Sequence, residues 1–182
     1  AAVTRLLVER GARGIVICGR NVKAGREQAE TLSHGGCEVI FVEADISSPE
    51  ACKKVVGAAE SAFGTLHGLV NCAGMSDRGT ILDTSPELFD AIMAVNTRAP
   101  FFLMQAAIKL MIARGVEGSI VNIITMTSHG GQSFLTAYAA SKGALVTLTK
   151  NVAFSVMRNR IRVNGLNIGW MDTPHEHDIQ RQ

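Results

Sequence analysis

The sequence predicts an α/β fold built on a parallel sheet, and two features carry that prediction. Short apolar runs of strand length alternate with longer stretches of helical periodicity along the whole chain. No internal repeat or low-complexity linker interrupts the alternation. Strands joined in this way through helical crossovers run parallel. The chain has 182 residues, 47% hydrophobic and 19% charged, which suits one domain with strands buried on both faces.

Residues 1–10 read as an amphipathic helix, with Val3, Leu6, Leu7 and Arg10 spaced for one face and Gly11 as its stop. This helix has neither a starting Met nor an N-cap. Strand patterns follow at residues 14–18, 38–42, 68–71, 119–124 and 161–166. Ser48-Pro49-Glu50 and Ser85-Pro86-Glu87 each supply a cap, a first-turn proline and an acid that suits the helix dipole. The second of these opens a helical pattern over residues 86–113, and another long apolar helix runs from around Tyr138 to Met157.

The chemistry concentrates in Ala137-Tyr-Ala-Ala-Ser-Lys-Gly143, where Tyr138 and Lys142 stand one helical turn apart on one face. A free tyrosine titrates near pH ~10, so as a base at neutral pH it is about 4 kcal/mol short of tyrosinate. A fixed cation nearby closes part of that gap. The pattern is short, and chance produces it often enough that its surroundings have to decide.

Asn71-Cys-Ala-Gly74 closes the apolar run at Leu69-Val70 and reads as a strand emptying into a glycine turn, where small residues let backbone approach a ligand. Thr125 follows the apolar strand at 119–124, thirteen positions before Tyr138. Its hydroxyl is therefore expected at the carboxyl edge of the sheet, where open α/β sheets bind ligands. Asn96 lies in the middle of the long helix. Four residues on, Pro100 has no N–H to bond the Asn96 carbonyl. That free carbonyl suits a water in a proton relay to Lys142, although a proline kink fitting the helix around its neighbours explains the same residues.

Taken together, Asn71-Cys-Ala-Gly, Asn96, Thr125 and Tyr138-x-x-x-Lys142 resemble the short-chain dehydrogenase/reductase family, and the resemblance runs over essentially the whole chain. It implies one doubly wound Rossmann domain over residues 1–182. It also implies hydride transfer between a nicotinamide cofactor and a carbonyl or alcohol substrate. By the resemblance, Tyr138 is the acid/base, Lys142 depresses its pKa and binds the nicotinamide ribose, Thr125 holds the substrate oxygen, and Asn96 serves the relay. Asn71, Ala73 and Gly74 are expected to border the cofactor. Family members are commonly tetramers, and the apolar long helices suit a homotetramer or homodimer interface, although core packing explains the same residues.

Departures from the family pattern are instructive. There is no glycine-rich loop, and the resemblance implies that the first strand and its pyrophosphate-cradling glycines precede Ala1. The strand at 14–18 is therefore expected to lack a neighbour toward the strand at 68–71. At the other end, Asn167-Ile-Gly-Trp-Met-Asp-Thr-Pro174 resembles the segment that touches the nicotinamide, with Ile168 where the family usually has proline and Thr173 keeping its contact. The family's lid and last strand are expected beyond this chain. Thr125 replaces the usual serine, which keeps the hydroxyl but adds a methyl and a stiff χ1, pointing to a narrower substrate set. Arg20, after the strand at 14–18, is a good partner for a 2′-phosphate, so NADP(H) is favoured over NAD(H). Asp45 and Ile46 resemble the family's adenine contact, and a turn aspartate is the plainer reading of Asp45.

Composition limits the alternatives. No apolar stretch is read as approaching the ~20 residues needed to cross a membrane. The formal net charge of +2 gives no argument for nucleic acid. Cys18, Cys37, Cys52 and Cys72 are spread singly, which suggests reduced thiols and a cytoplasmic protein. Cys18 and Cys72 are read as small buried hydrophobes. His175 and His177, without further ligands, read as a polar loop and not a metal pair. A second reading is a non-catalytic nucleotide-sensing or interaction module on the same fold. A third is an epimerase or dehydratase using the same Tyr and Lys.

Overall fold

The computed structural model describes residues 1–169 and 171. It is an α/β structure in which parallel strands alternate with helices. The order is α1 (Ala2–Glu9), β1 (Gly14–Gly19), α2 (Val22–Leu32), β2 (Glu38–Glu43), α3 (Pro49–Phe63), β3 (Gly68–Asn71), α4 (Pro86–Met93), α5 (Ala99–Ala113), β4 (Ser119–Thr125), α6 (Thr136–Ser155) and β5 (Arg162–Ile168). The expected strands all form, each within one or two residues of its predicted ends.

Hydrogen bonding divides the strands into a pair, β1-β2, and a triplet, β3-β4-β5. All pairings are parallel, with Gly14 opposite Glu38, Gly68 opposite Ser119 and Ser119 opposite Arg162. Among the described residues no strand joins β1 to β3. One core nevertheless spans both parts. Val16 and Ile40 from the pair, and Leu69, Ile120 and Val163 from the triplet, pack with Val55 and Val56 of α3 and Leu103, Met104 and Met111 of α5. On the opposite face of the pair, Ile15, Ile17, Val39 and Phe41 pack with Val8 of α1 and Ala29 and Leu32 of α2. Alternate residues of β1 and β2 thus point into two helix layers, which is the doubly wound arrangement.

The helix starts follow their sequence signals. Ser48 Oγ accepts the Ala51 N–H at 3.3 Å, Ser85 Oγ accepts the Leu88 N–H at 3.2 Å, and each helix begins at the proline. Gly11 takes φ +84°, a conformation that glycine adopts without penalty, just past the end of α1.

Four expectations need correction. The face of α1 that carries Val3, Leu6 and Leu7 lies open, and Thr4 and Val8 are the buried residues, because α1 meets the core only through the side that rests on α2. The helix over 86–113 is not one regular α-helix: a π-helical turn, Ala94–Arg98, divides it, and the Ala99 N–H bonds to the Ala94 carbonyl five residues back. The wider register ahead of Pro100 absorbs its missing donor. Pro86–Ala113 together form a helix long and apolar enough, by length and composition, to cross a membrane. Its inward residues Ala99, Leu103, Met104, Ala107 and Met111 lie in the core, while Phe101 and Ile112 face outward. Finally, Cys37 and Cys52 are buried, whereas Cys18 and Cys72 are exposed.

Candidate active site

The carboxyl ends of β3, β4 and β5 and the first turns of α6 meet at one edge of the triplet. Thr125 is the last residue of β4 and pairs with Ile168 at the end of β5. Its hydroxyl oxygen accepts from the Thr127 N–H at 3.3 Å and the Thr127 hydroxyl at 3.2 Å, while its carbonyl accepts from Ser128 Oγ at 2.7 Å. These contacts use the lone pairs of Thr125 Oγ1 and leave its own hydrogen free to donate.

Tyr138 lies in the first turn of α6 and is half-buried. Lys142, one turn on, is 4% exposed, and its Nζ donates to the Ile123 carbonyl in β4 at 2.8 Å. The ammonium sits 6.0 Å from the centroid of the Tyr138 ring. Burial pulls the Lys142 pKa from 10.5 to about 8, against a smaller opposing pull from the neighbouring Cys72. Although Cys72 as a residue is exposed, protein packed around its thiol raises the thiol's pKa, and Lys142 holds it back in part.

Asn96 is fully buried in the π-helical turn and clamps the loop after β3. Its Oδ1 accepts the Met75 N–H at 2.8 Å, and its Nδ2 donates to the Met75 carbonyl at 2.8 Å and to Ser141 Oγ at 3.0 Å. The clamp brings Gly74 close: a Cβ there would lie 3.5 Å from Asn96 Oδ1 and 3.6 Å from Lys142 Nζ. Ala73 and Gly74 are both exposed. A bare backbone at this position lets a ligand come within van der Waals reach of the turn.

Asn71 behaves differently. Its Nδ2 donates to Asn122 Oδ1 at 2.7 Å, and Asn122 Nδ2 continues to Thr149 Oγ1 at 2.9 Å, a buried chain linking β3, β4 and α6. Asn71 Oδ1 is buried without a partner. With the side chain committed inward, any contact from Asn71 to a ligand falls to its main chain.

At the carboxyl ends of β1 and β2, Arg20 and Asp45 line a cleft of about 830 Å³ together with Ser47, Met75 and Arg98. Asp45 Oδ1 accepts the Ser47 N–H at 3.0 Å. Backbone and side-chain hydrogen bonds from Ser47 hold its carboxyl below the usual range, and the Arg20 charge adds to the effect. Ile46 is half-buried and packs on the core. A second hollow of about 590 Å³, lined by Glu117, Arg160 and Arg162, lies at the opposite end of β5 from these residues. Thr173, His175 and His177 lie outside the described residues.

The sheet edge therefore gathers Gly74, Asn96, Thr125, Tyr138 and Lys142, while Arg20 and Asp45 stand at the matching edge of the pair. The carboxyl edge of a parallel α/β sheet is the usual seat of a dinucleotide, and these residues stand at that edge of the pair and of the triplet. Uncovered glycine backbone, a buried amine and an exposed guanidinium fit such a ligand along that edge. Ser141, Met75, Thr97 and Asn122 were not legible as site residues. Asn122 did carry a signal, being an amide amid the isoleucines of a buried strand.

Comparison with known proteins agrees with this geometry. The family pattern described as short chain dehydrogenase matches residues 1–182. The chain is 32% identical over 182 residues to the NADP-dependent (R)-specific alcohol dehydrogenase of Lentilactobacillus kefiri, covering 98% of this chain and 71% of the relative. It is 35% identical over 176 residues to carbonyl reductase (NADPH) 2 of Sus scrofa, covering 90% and 70%. A solved structure of NAD+-bound xylitol dehydrogenase superposes with a TM-score of 0.92 at 27% identity, over 98% of this chain and 68% of that one. The chain thus spans about two thirds of the length of the proteins it matches. By sequence and by fold it belongs to the short-chain dehydrogenase family of oxidoreductases.

Proposed function

We propose that the protein reduces a carbonyl, or oxidises the matching secondary alcohol, with Tyr138 as the group that exchanges the proton. The observation that supports this reading is the seat of Lys142: its buried amine is held by the Ile123 carbonyl, two residues before Thr125 in β4, and stands 6.0 Å from the centroid of the Tyr138 ring. The bound nicotinamide supplies the hydride. Thr125, with its lone pairs occupied by Thr127, points its hydrogen at the substrate oxygen. Tyr138 donates its proton to that oxygen as charge develops there. Lys142, with a pKa brought to about 8 by burial, both holds a charge beside the ring and exchanges a proton in the working range of pH. In this reading Lys142 also holds the nicotinamide ribose, and Ala73, Gly74 and the main chain of Asn71 border the cofactor. Ile46 and Asp45 border the adenine, with Thr173 toward the nicotinamide. The Asn96 side chain is spent on Met75 and Ser141, so its part in the relay falls to its main-chain carbonyl.

NADP(H) is the preferred cofactor in this reading, because Arg20 offers an exposed guanidinium at the cleft while Asp45 is already engaged by Ser47. The L. kefiri relative is named as NADP-dependent, which supports the preference. Replacing Arg20 with Ala is expected to weaken NADPH about 10- to 100-fold, the worth of one charge-assisted contact, and to leave NADH nearly unchanged. Titration of nicotinamide fluorescence measures both.

The test of function mixes the full-length protein with NADPH and a panel of aliphatic, aromatic and sugar ketones and follows the loss of nicotinamide absorbance. Steady consumption with at least one ketone is expected. Cofactor binding with no turnover across the panel would favour the non-catalytic sensor instead.

A further inference from the structure

We infer that Thr97 and Ser141 are positioning residues of the reaction, fastening the helical turn that carries Tyr138 and Lys142 to the π-helical turn Ala94–Arg98. The inference rests on the catalytic reading above and adds two residues to it. Ser141 lies between Tyr138 and Lys142 in sequence and is fully buried. Its hydroxyl accepts from Asn96 Nδ2 at 3.0 Å and donates to the Tyr138 carbonyl at 2.7 Å. Its own carbonyl accepts from Thr97 Oγ1 at 2.9 Å. Two polar groups of one residue, its hydroxyl and its carbonyl, are thus gripped by two consecutive residues of a neighbouring helix.

Consecutive residues of a regular α-helix point about 100° apart, which makes it hard for both to reach the same partner. Asn96 and Thr97, both in the π-helical turn, do so by taking different groups of Ser141, the first its hydroxyl and the second its carbonyl. Two attachments on opposite sides of Ser141, one to the side chain and one to the main chain, resist both rotation of α6 about its axis and sliding along it. A rotation of α6 would carry the Tyr138 phenol away from Thr125 and pull Lys142 from the Ile123 carbonyl together, since all the α6 groups move as one body. The device is therefore expected to act on the chemical step and less on the capture of substrate.

Thr97 gives the cleaner test, because Thr97→Val keeps its shape and loses only the hydroxyl, while Thr97→Ser keeps the hydroxyl. In the full-length protein, with active sites counted by NADPH titration, Thr97→Val and Ser141→Ala are expected to lower kcat per site about 10- to 100-fold, the usual penalty of a small misplacement. KM for the ketone should change much less, and Thr97→Ser should restore most of the rate. A purely architectural role predicts fewer active sites or a lower Tm with wild-type kcat per site, and that result would overturn the inference. Tyr138→Phe assayed alongside separates the two levels of the argument. If it is inactive while Thr97→Val turns over at the wild-type rate, the positioning role alone is wrong; if it turns over normally, the catalytic reading falls and the positioning role falls with it.

Discussion

Lys142 shows how far a single position can be read from sequence and where reading stops. Its spacing from Tyr138 is local, one helical turn, and so was legible without a structure. What it bonds to was not, because the Ile123 carbonyl comes from a strand 19 residues earlier. The same holds for Asn96, whose side-chain clamp on Met75 spans 21 residues and stands beside the relay role proposed for its carbonyl. Burial of the Lys142 amine has a consequence for stability. The unfolded chain holds this proton up to about 10.5 and the folded chain only to about 8, so between those values the unfolded state binds more protons. The penalty for burying the charge is fully present below about 8 and fades as the pH climbs toward 10.5. The displacement corresponds to roughly 3 kcal/mol as an upper bound. Lys142→Met, which removes the charge, is therefore expected to be more stable than the wild type at pH 7, with the advantage shrinking between pH 8 and 10. Urea unfolding of both proteins across that range checks the sign, and a difference independent of pH would contradict it.

Among the elements, those with local chemical signals at their ends were legible, and the one governed by tertiary packing was not. Ser48 and Ser85 cap α3 and α4 as their Ser-Pro-Glu triplets required, since a cap depends on residues within one turn. The Glu50 carboxyl is held below its usual range first by its own main-chain N–H and then by Ser48, which donates to Glu50 Oε2 at 2.9 Å. Ser48→Ala is expected to destabilise the protein by about 1 kcal/mol through loss of the cap, read as a lower urea midpoint with an unchanged slope. The π-helical turn had no such signal. Pro100 marked the place, but only the fit against the β3 loop and α6 selects a change of register over a kink. Likewise the periodicity of α1 located an apolar face correctly and said nothing about whether a partner covers it.

At the scale of the molecule, alternating strands and helices were enough for the fold, because parallel crossover topology leaves few arrangements. The break between β1 and β3 also followed once the family pattern supplied the expected strand order. Association was harder to read, since a helix apolar on every side serves a core and an interface equally. In the structure Phe101 and Ile112 of α5 are 44% and 46% exposed, and Phe154 of α6 is 78% exposed. These outward residues are the basis for proposing a homodimer or homotetramer built on α5 and α6. Phe154→Glu is expected to shift the full-length protein toward monomer in sedimentation experiments, because a buried carboxylate without a partner opposes association. An unchanged assembly would place the interface elsewhere.

The central claim is that the Tyr138 hydroxyl delivers the proton that accompanies hydride transfer, and Tyr138→Phe isolates that hydroxyl while keeping the ring. The account predicts that turnover of any accepted ketone falls by about 10²–10⁴-fold, the worth of a general acid, while NADPH binds as before. Turnover at the wild-type rate in that variant would contradict it.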